Sequence, residues 1–201
     1  MSDADSGQTD DELEQYPTWD DEYLTEVAGR LVYHYDMEKD YRVEGEQFSL
    51  YGEMRVENKK HLLHPSIEIA RHRSFEHLCV RREDSVRTQD LDRLVALGHD
   101  IAGEWIDPDE EHYSTEFTFV LVVPEISEDV RSKVRDLDER TLLKYGYNGH
   151  YDVNLLVAAP EREELVANDG VDVEDAFRTW EEISDRGEPT LFDLVKRRLQ
   201  L

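Results

Sequence analysis

The chain has 201 residues, a length that suits one domain with tails. It carries 49 acidic against 23 basic residues, a net charge of -26, with 38% hydrophobic and 36% charged residues. No apolar run reaches the ~20 residues of a membrane span. The acidic start lacks the basic and apolar regions of a signal peptide, and a single cysteine, Cys79, excludes a disulfide within the chain.

A charge of this size strains a compact state through self-repulsion. Molar salt shortens the Debye length to about 3 Å and removes most of that penalty. Acidic surface, few Lys and many Arg therefore point to a salt-adapted cytosol, and the expected location is cytoplasmic. An acidic disordered chain would also be rich in Asp and Glu. Here Val, Leu and aromatic residues recur in strand and helix patterns, which favours a folded domain.

Residues 1–17 contain no Lys or Arg and read as a disordered acidic tail. Thr18 is a candidate cap for a helix over about 19–38, with Tyr23, Leu24, Val27, Leu31 and Tyr35 at helical spacing. Glu44-Gly45-Glu46 reads as a turn. Phe48, Leu50, Gly52, Met54 and Val56 alternate with polar residues, as in a half-buried strand. An extended segment over 62–70, broken by Pro65, and a strand from Phe75 to Arg82 complete an antiparallel meander of three to four strands. Ser85 or Thr88 caps a second helix with Leu91, Leu94, Val95, Gly98, Ile101, Ala102 and Trp105 on one face. Phe117 to Val123 and Val153 to Ala159 are near-continuous apolar runs, the mark of inner strands covered on both sides. Between them Ser127 caps a third helix reaching about Leu142. Strand, helix and strand in this order imply two parallel strands. Asp175 to about Ile183 reads as helical, and Leu191, Leu194, Val195 and Leu199 form the apolar face of a last helix within 184–201. The fold class is α/β (mixed α+β): an N-terminal helix, then the meander, continuing into a mixed sheet with helices packed on it. The single domain spans 18–183, and 184–201 is a linker with a C-terminal amphipathic helix.

Three constellations bear on function. The first is a basic island between Arg55 and Arg87 that includes Lys59, Lys60, Arg71, Arg73, Arg81 and Arg82. Guanidinium groups grip phosphate in a forked geometry, but they also pair with acids across strands. The second is Lys144-Tyr145-Gly146-Tyr147-Asn148-Gly149-His150-Tyr151. Tyrosines offer large contact area at small entropic cost, so Tyr145, Tyr147 and His150 are candidate binding residues alongside Arg71, Arg73, Arg81 and Arg82. The competing reading is a glycine C-cap and turn whose rings pack on the sheet. The third is Glu53, Glu57 and Glu76 on neighbouring strands. His61, His64, His72 and His77 follow no metal-ligand spacing, and no G-x-S-x-G, HExxH or glycine-rich phosphate loop occurs.

Two resemblances follow. Tyr33-His34-Tyr35-Asp36, Tyr41-Arg42-Val43, Tyr51-Gly52 and Leu143-Lys144-Tyr145-Gly146-Tyr147 resemble a family of uncharacterised proteins of halophilic archaea, a domain of unknown function, over about residues 19–182. That family implies no activity. Separately, the element order over about 19–123 resembles the PD-(D/E)XK restriction-endonuclease-like superfamily. This resemblance implies a magnesium site, for which Glu53, Glu57 and Glu76 are the candidate ligands. Leu78 stands where that pattern has its lysine, so the triplet is incomplete.

No catalytic residue is therefore assigned and no cofactor is expected. The leading expectation is a non-catalytic interaction or regulatory protein acting on a protein partner or as a homo-oligomer, without membrane contact. The alternative is a nucleic-acid-binding or processing protein with a degenerate nuclease-like core, which alone would need magnesium.

Overall fold

The computed structural model describes residues 17–61 and 68–181, with side chains for 17–57 and 72–181. The acidic tail up to Tyr16, the extended segment around Pro65, the linker and C-terminal helix of 184–201, His64, and the side chains of Lys59, Lys60, His61 and Arg71 lie outside the described residues. What is described is a mixed α/β fold with a seven-stranded open sheet.

Helix α1 (Glu22–Leu31) starts at Asp21, whose carboxylate accepts hydrogen bonds from the Tyr23 and Leu24 N–H groups at 3.0 and 3.2 Å. The helix is shorter than the sequence spacing predicts. Tyr35 keeps the helical spacing but follows a turn, and the chain is extended from Asp36. Strand β1 (Asp36–Val43) pairs antiparallel with β2 (Glu46–His61). Sheet pairing outcompetes the local helical pattern there. β2 pairs antiparallel with β3 (Glu68–Arg82) in a long hairpin.

Helix α2 (Thr88–Trp105) opens with the Asp90 carboxylate accepting from the Arg87 N–H at 3.0 Å, and buries the face expected from sequence. It carries the chain to β4 (His112–Val122), which runs parallel to β3. Helix α3 (Glu128–Arg135) has the expected Ser127 cap, which accepts from Val130 N–H at 3.4 Å. It ends sooner than its spacing predicts, because Arg140–Leu142 forms a short strand, β5, on the edge of β6 (His150–Ala159). β6 is parallel to β4, as the strand-helix-strand pattern requires. β7 (Glu164–Ala167), which no alternation announces, lines the far half of the same β6 edge. Helix α4 is one turn, Glu174–Phe177, where a longer helix is expected from sequence.

The strand order is β1-β2-β3-β4-β6, with β2 antiparallel to its neighbours and β5 and β7 sharing the outer edge of β6. Alternation along the inner strands builds two cores. Cys79, Phe117, Phe119, Leu121, Val153, Leu155 and Val157 pack with α2 and α3. Leu50, Leu78, Val80, Val120, Val122, Leu156 and Ala158 pack with α1 and α4. Both edges are guarded: β1 displays Asp36, Glu38, Lys39, Asp40 and Arg42, and β6 is covered by short strands.

Gly98 lets α2 approach β6. A Cβ there would lie 2.7 and 2.8 Å from the Val153 methyls and 3.1 Å from Phe119. Gly98→Leu is expected to lower unfolding free energy by about 1–3 kcal/mol or more through overpacking. Gly103→Ala, on the same helix with nothing within 4 Å, is expected to raise it by up to about 1 kcal/mol. Urea titrations of both variants measure the two signs.

Candidate interaction surface

Between β5 and β6 the chain folds into a tight loop. A 3-10 turn over Leu143–Gly146 contains two successive residues in the left-handed region, Lys144 (φ 46, ψ 50) and Tyr145 (φ 60, ψ 26). Non-glycine residues pay of order 1 kcal/mol or more for such conformations. The loop holds them with its own ladder: Leu143 N–H donates to Gly149 O at 2.9 Å and Tyr147 N–H to Lys144 O at 3.2 Å. It is also bolted to the turn before β4. Asn148 Nδ2 donates to Pro108 O at 2.6 Å, and His112 Nδ1 lies 2.7 Å from Asn148 O. Gly149, at φ 76, presses on the β4 backbone, where a Cβ would sit 2.1 Å from Tyr113 O.

This anchored, strained loop does not use its rings for packing. Tyr145 is 96% exposed and Tyr147 86%, and Leu142 beside them is 61% exposed. Of the two readings of the Tyr-Gly repeat, the turn is present, but Gly146 does not cap the third helix, which ends at Arg135 with Asp136 as its cap, and the rings of Tyr145 and Tyr147 face solvent. The tyrosine that packs is Tyr151, whose hydroxyl is 3.0 Å from His99 Nδ1 and whose ring meets Phe117 edge-on. His150 does not join the exposed rings. It turns to the Asp152 carboxylate, with Nε2 3.3 Å from Oδ2.

Among the described residues of the basic island, Arg55, Arg73, Arg81 and Arg82 are engaged in ion pairs. Arg73 binds Asp109 and lies 3.6 Å from Glu111. Arg81 binds Glu46 and Glu83 and lies 5.5 Å from the Phe48 ring. Arg82 grips Asp21 with two nitrogens, at 2.7 and 3.1 Å. The pairs to Asp109 and Glu111, to Glu46 and to Asp21 tie β3 to the turn before β4, the β1–β2 hairpin and the start of α1.

The three candidate carboxylates are not brought together. Glu53 shares the α2 side of the sheet with Tyr51, whose hydroxyl donates to it at 3.4 Å. Glu57 accepts from Arg55 at 2.6 Å. Glu76 is on the opposite side, where it accepts from the Tyr35 hydroxyl at 2.6 Å. The reason is register: Glu53 sits opposite His77, the neighbour of Glu76, so the two acids alternate to different faces. Among the described residues no group of His, Cys, Asp and Glu is placed to hold a metal ion.

Pairing brings Glu76 beside Glu116, and Glu116 beside Asp152, on one face of β3, β4 and β6. Glu116 and Asp152 are each only 8% exposed. Burial raises the Asp152 carboxyl, but its bonds to His150 and Arg140 pull it below the ordinary carboxylate value. Asn154 and Asn168 extend this polar strip, with Asn168 Nδ2 donating to Asn154 Oδ1 at 2.9 Å. Sequence reading missed the row, because Glu116 and Asp152 look like ordinary strand acids until the parallel register is known. At the opposite end of the sheet, where β3 and β4 finish, a groove of about 580 Å³ is lined by Glu44, Glu46, Arg81, Glu83, Asp90 and Arg93 among others.

On the α2 side His77 is buried, with Nδ1 2.8 Å from the Tyr51 hydroxyl and its ring stacked on Phe117. Burial lowers its pKa to about 4, and it also raises the Tyr51 hydroxyl and takes the Cys79 thiol to about 12. His77 is thus a neutral core residue and Cys79 an inert thiol. Because the folded pKa lies below that of an unfolded histidine, the unfolded chain takes up the proton first. Stability from this site is complete above about pH 6.5 and falls as pH drops towards 4, by up to about 3 kcal/mol. His77→Asn, which keeps a polar partner for Tyr51 without titrating, is expected to flatten the pH dependence of urea unfolding between 6.5 and 4. Gly149→Ala, at the loop's anchor, is expected to cost more than about 1 kcal/mol in the same assay.

No described helix is long and apolar enough to cross a membrane. No curated protein and no solved structure matches the chain. One family does, described as Domain of unknown function (DUF8052), over residues 20–179. That span covers α1 through α4, both cores and the tyrosine loop, and the chain therefore belongs to the DUF8052 family.

Proposed function

We propose that this domain is a non-catalytic interaction module of a salt-adapted, archaeal cytosol, and that it binds a protein partner through the loop from Leu142 to Gly149. One observation carries the reading: strained backbone at Lys144 and Tyr145 is held rigidly while Tyr145 and Tyr147 are left in solvent. Strain concentrates where function needs it, and rigid exposed tyrosines are efficient contact residues because little entropy is lost on binding. Their contact is apolar and survives molar salt, in which exposed ion pairs are screened. The -26 charge supports the salty setting.

The second reading is a nucleic-acid protein with a degenerate restriction-endonuclease-like core. It rests on the element order α1-β1-β2-β3-α2-β4. Arg73, Arg81 and Arg82 occupied by carboxylates weigh against it, as does the placement of Glu53 and Glu57 across the sheet from Glu76.

Capture from lysate at molar KCl compares wild type with Tyr145→Ser/Tyr147→Ser, while sedimentation measures self-association. Both rings are exposed, so the double variant is expected to unfold within about 0.5 kcal/mol of wild type. It is expected to lose partner or self-binding by at least about tenfold. Equal binding by the variant would remove the loop from the interface. Magnesium-dependent cleavage of labelled DNA or RNA would replace this reading with the second.

A further inference from the structure

The tyrosine loop does not stand alone at its end of the sheet. Asn148 bonds it to Pro108, and Pro108 sits in a turn that carries Asp107, Asp109, Glu110 and Glu111. Two of these acids are paired: Arg73 binds Asp109 and lies 3.6 Å from Glu111. Asp107 and Glu110 are exposed, and neither forms an ion pair among the described residues. Both lie within two residues of Pro108, at about 3.8 Å of chain per residue, which puts them beside the loop. The cations nearby are engaged. Lys144 Nζ donates to Pro108 O at 3.4 Å, and Arg140 binds Asp152. The surface therefore combines two displayed phenol rings with free negative charge.

That combination selects the chemistry of a partner. The face of an aromatic ring is the negative side of its quadrupole and attracts cations. A guanidinium is planar and weakly hydrated, so it lies flat on a ring and still donates to a carboxylate. The chain makes this double contact itself. Arg55 lies 5.5 Å from the Phe75 ring centroid while binding Glu57, and Arg81 lies 5.5 Å from that of Phe48 while binding Glu46. Other occupants fit less well. A second copy of the loop would bring the same acids against Asp107 and Glu110, and a nucleic acid would bring its phosphates.

Resting on the loop as the contact surface, we propose that the partner segment is basic, and that its arginines stack on Tyr145 and Tyr147 while pairing with Asp107 and Glu110. The occupant is an arginine-bearing protein segment and not an apolar one.

Fluorescence anisotropy of labelled peptides, titrated with the full chain at molar KCl, tests this. The probe is a peptide of Arg, Gly and Ser, compared with versions in which every arginine is leucine or citrulline, its neutral isostere. The arginine peptide is expected to bind about tenfold more tightly than either. Tyr145→Leu/Tyr147→Leu, which keeps apolar area without rings, is expected to weaken its binding about tenfold, while Tyr145→Phe/Tyr147→Phe stays within about twofold of wild type. Asp107→Asn/Glu110→Gln is expected to weaken it about threefold. All four side chains are exposed, and circular dichroism confirms that each variant is folded. No binding of the arginine peptide, equal binding of the citrulline peptide, or unchanged binding in either the leucine or the Asp107→Asn/Glu110→Gln variant would each overturn the proposal. So would a labelled single-stranded oligonucleotide that binds more tightly than the arginine peptide. A leucine peptide that binds best, and is lost in Tyr145→Ser/Tyr147→Ser, would sink the basic partner and leave the loop as an interface. Equal capture from lysate by that serine variant would instead remove the loop itself.

Discussion

The parallel register of β3, β4 and β6 governs the rest of this structure. Along these three neighbouring strands the apolar residues alternate between the two faces, so each is committed to one of two cores. A slip of one residue would exchange the faces and bury charge in both. The same register stacks Phe117 against His77 on one side and aligns Glu76, Glu116 and Asp152 on the other. Packing and polar architecture are thus one decision. The two cores and the polar row cannot be altered independently.

Electrostatics operates differently in this chain than its charge suggests. Among the described residues many acidic side chains are exposed, while several arginines form joints between elements. Arg82 holds the carboxylate that caps α1, Arg73 secures the turn before β4, and Arg30 gathers the carbonyls that follow α4. Arginine suits these positions because its planar fork serves several acceptors at once. Exposed pairs of this kind add little stability each. Their effect is geometric, fixing where loops leave the sheet. The tyrosine loop inherits its position from one such joint, since the turn held by Arg73 also supplies the Pro108 carbonyl that accepts from Asn148.

The elements with strong periodicity were legible in sequence. α2 buries the predicted face, and β4 and β6 are the inner, parallel strands that their apolar runs imply. The errors cluster where local pattern competes with long-range pairing. Tyr35 keeps helical spacing with Leu31, yet the following residues join β2. Leu142 keeps spacing with α3, yet it forms an edge strand on β6. In both cases sheet partners remote in sequence supply hydrogen bonds that a frayed helix end cannot. The tyrosine loop was visible as a composition signal, but exposure of its rings was not, because a turn of that sequence suits packed and displayed rings equally.

What the sequence alone determined was the class of fold, the order of its main elements and the net charge, since periodicity and composition are local and additive properties. What only the tertiary structure decided was which side chains meet. Glu53 and Glu76, which a motif search places together, are separated by the sheet because one residue of register sends them to opposite faces. Glu76, Glu116 and Asp152, far apart in the chain, become neighbours because parallel pairing is set by crossover helices and core packing rather than by any local signal.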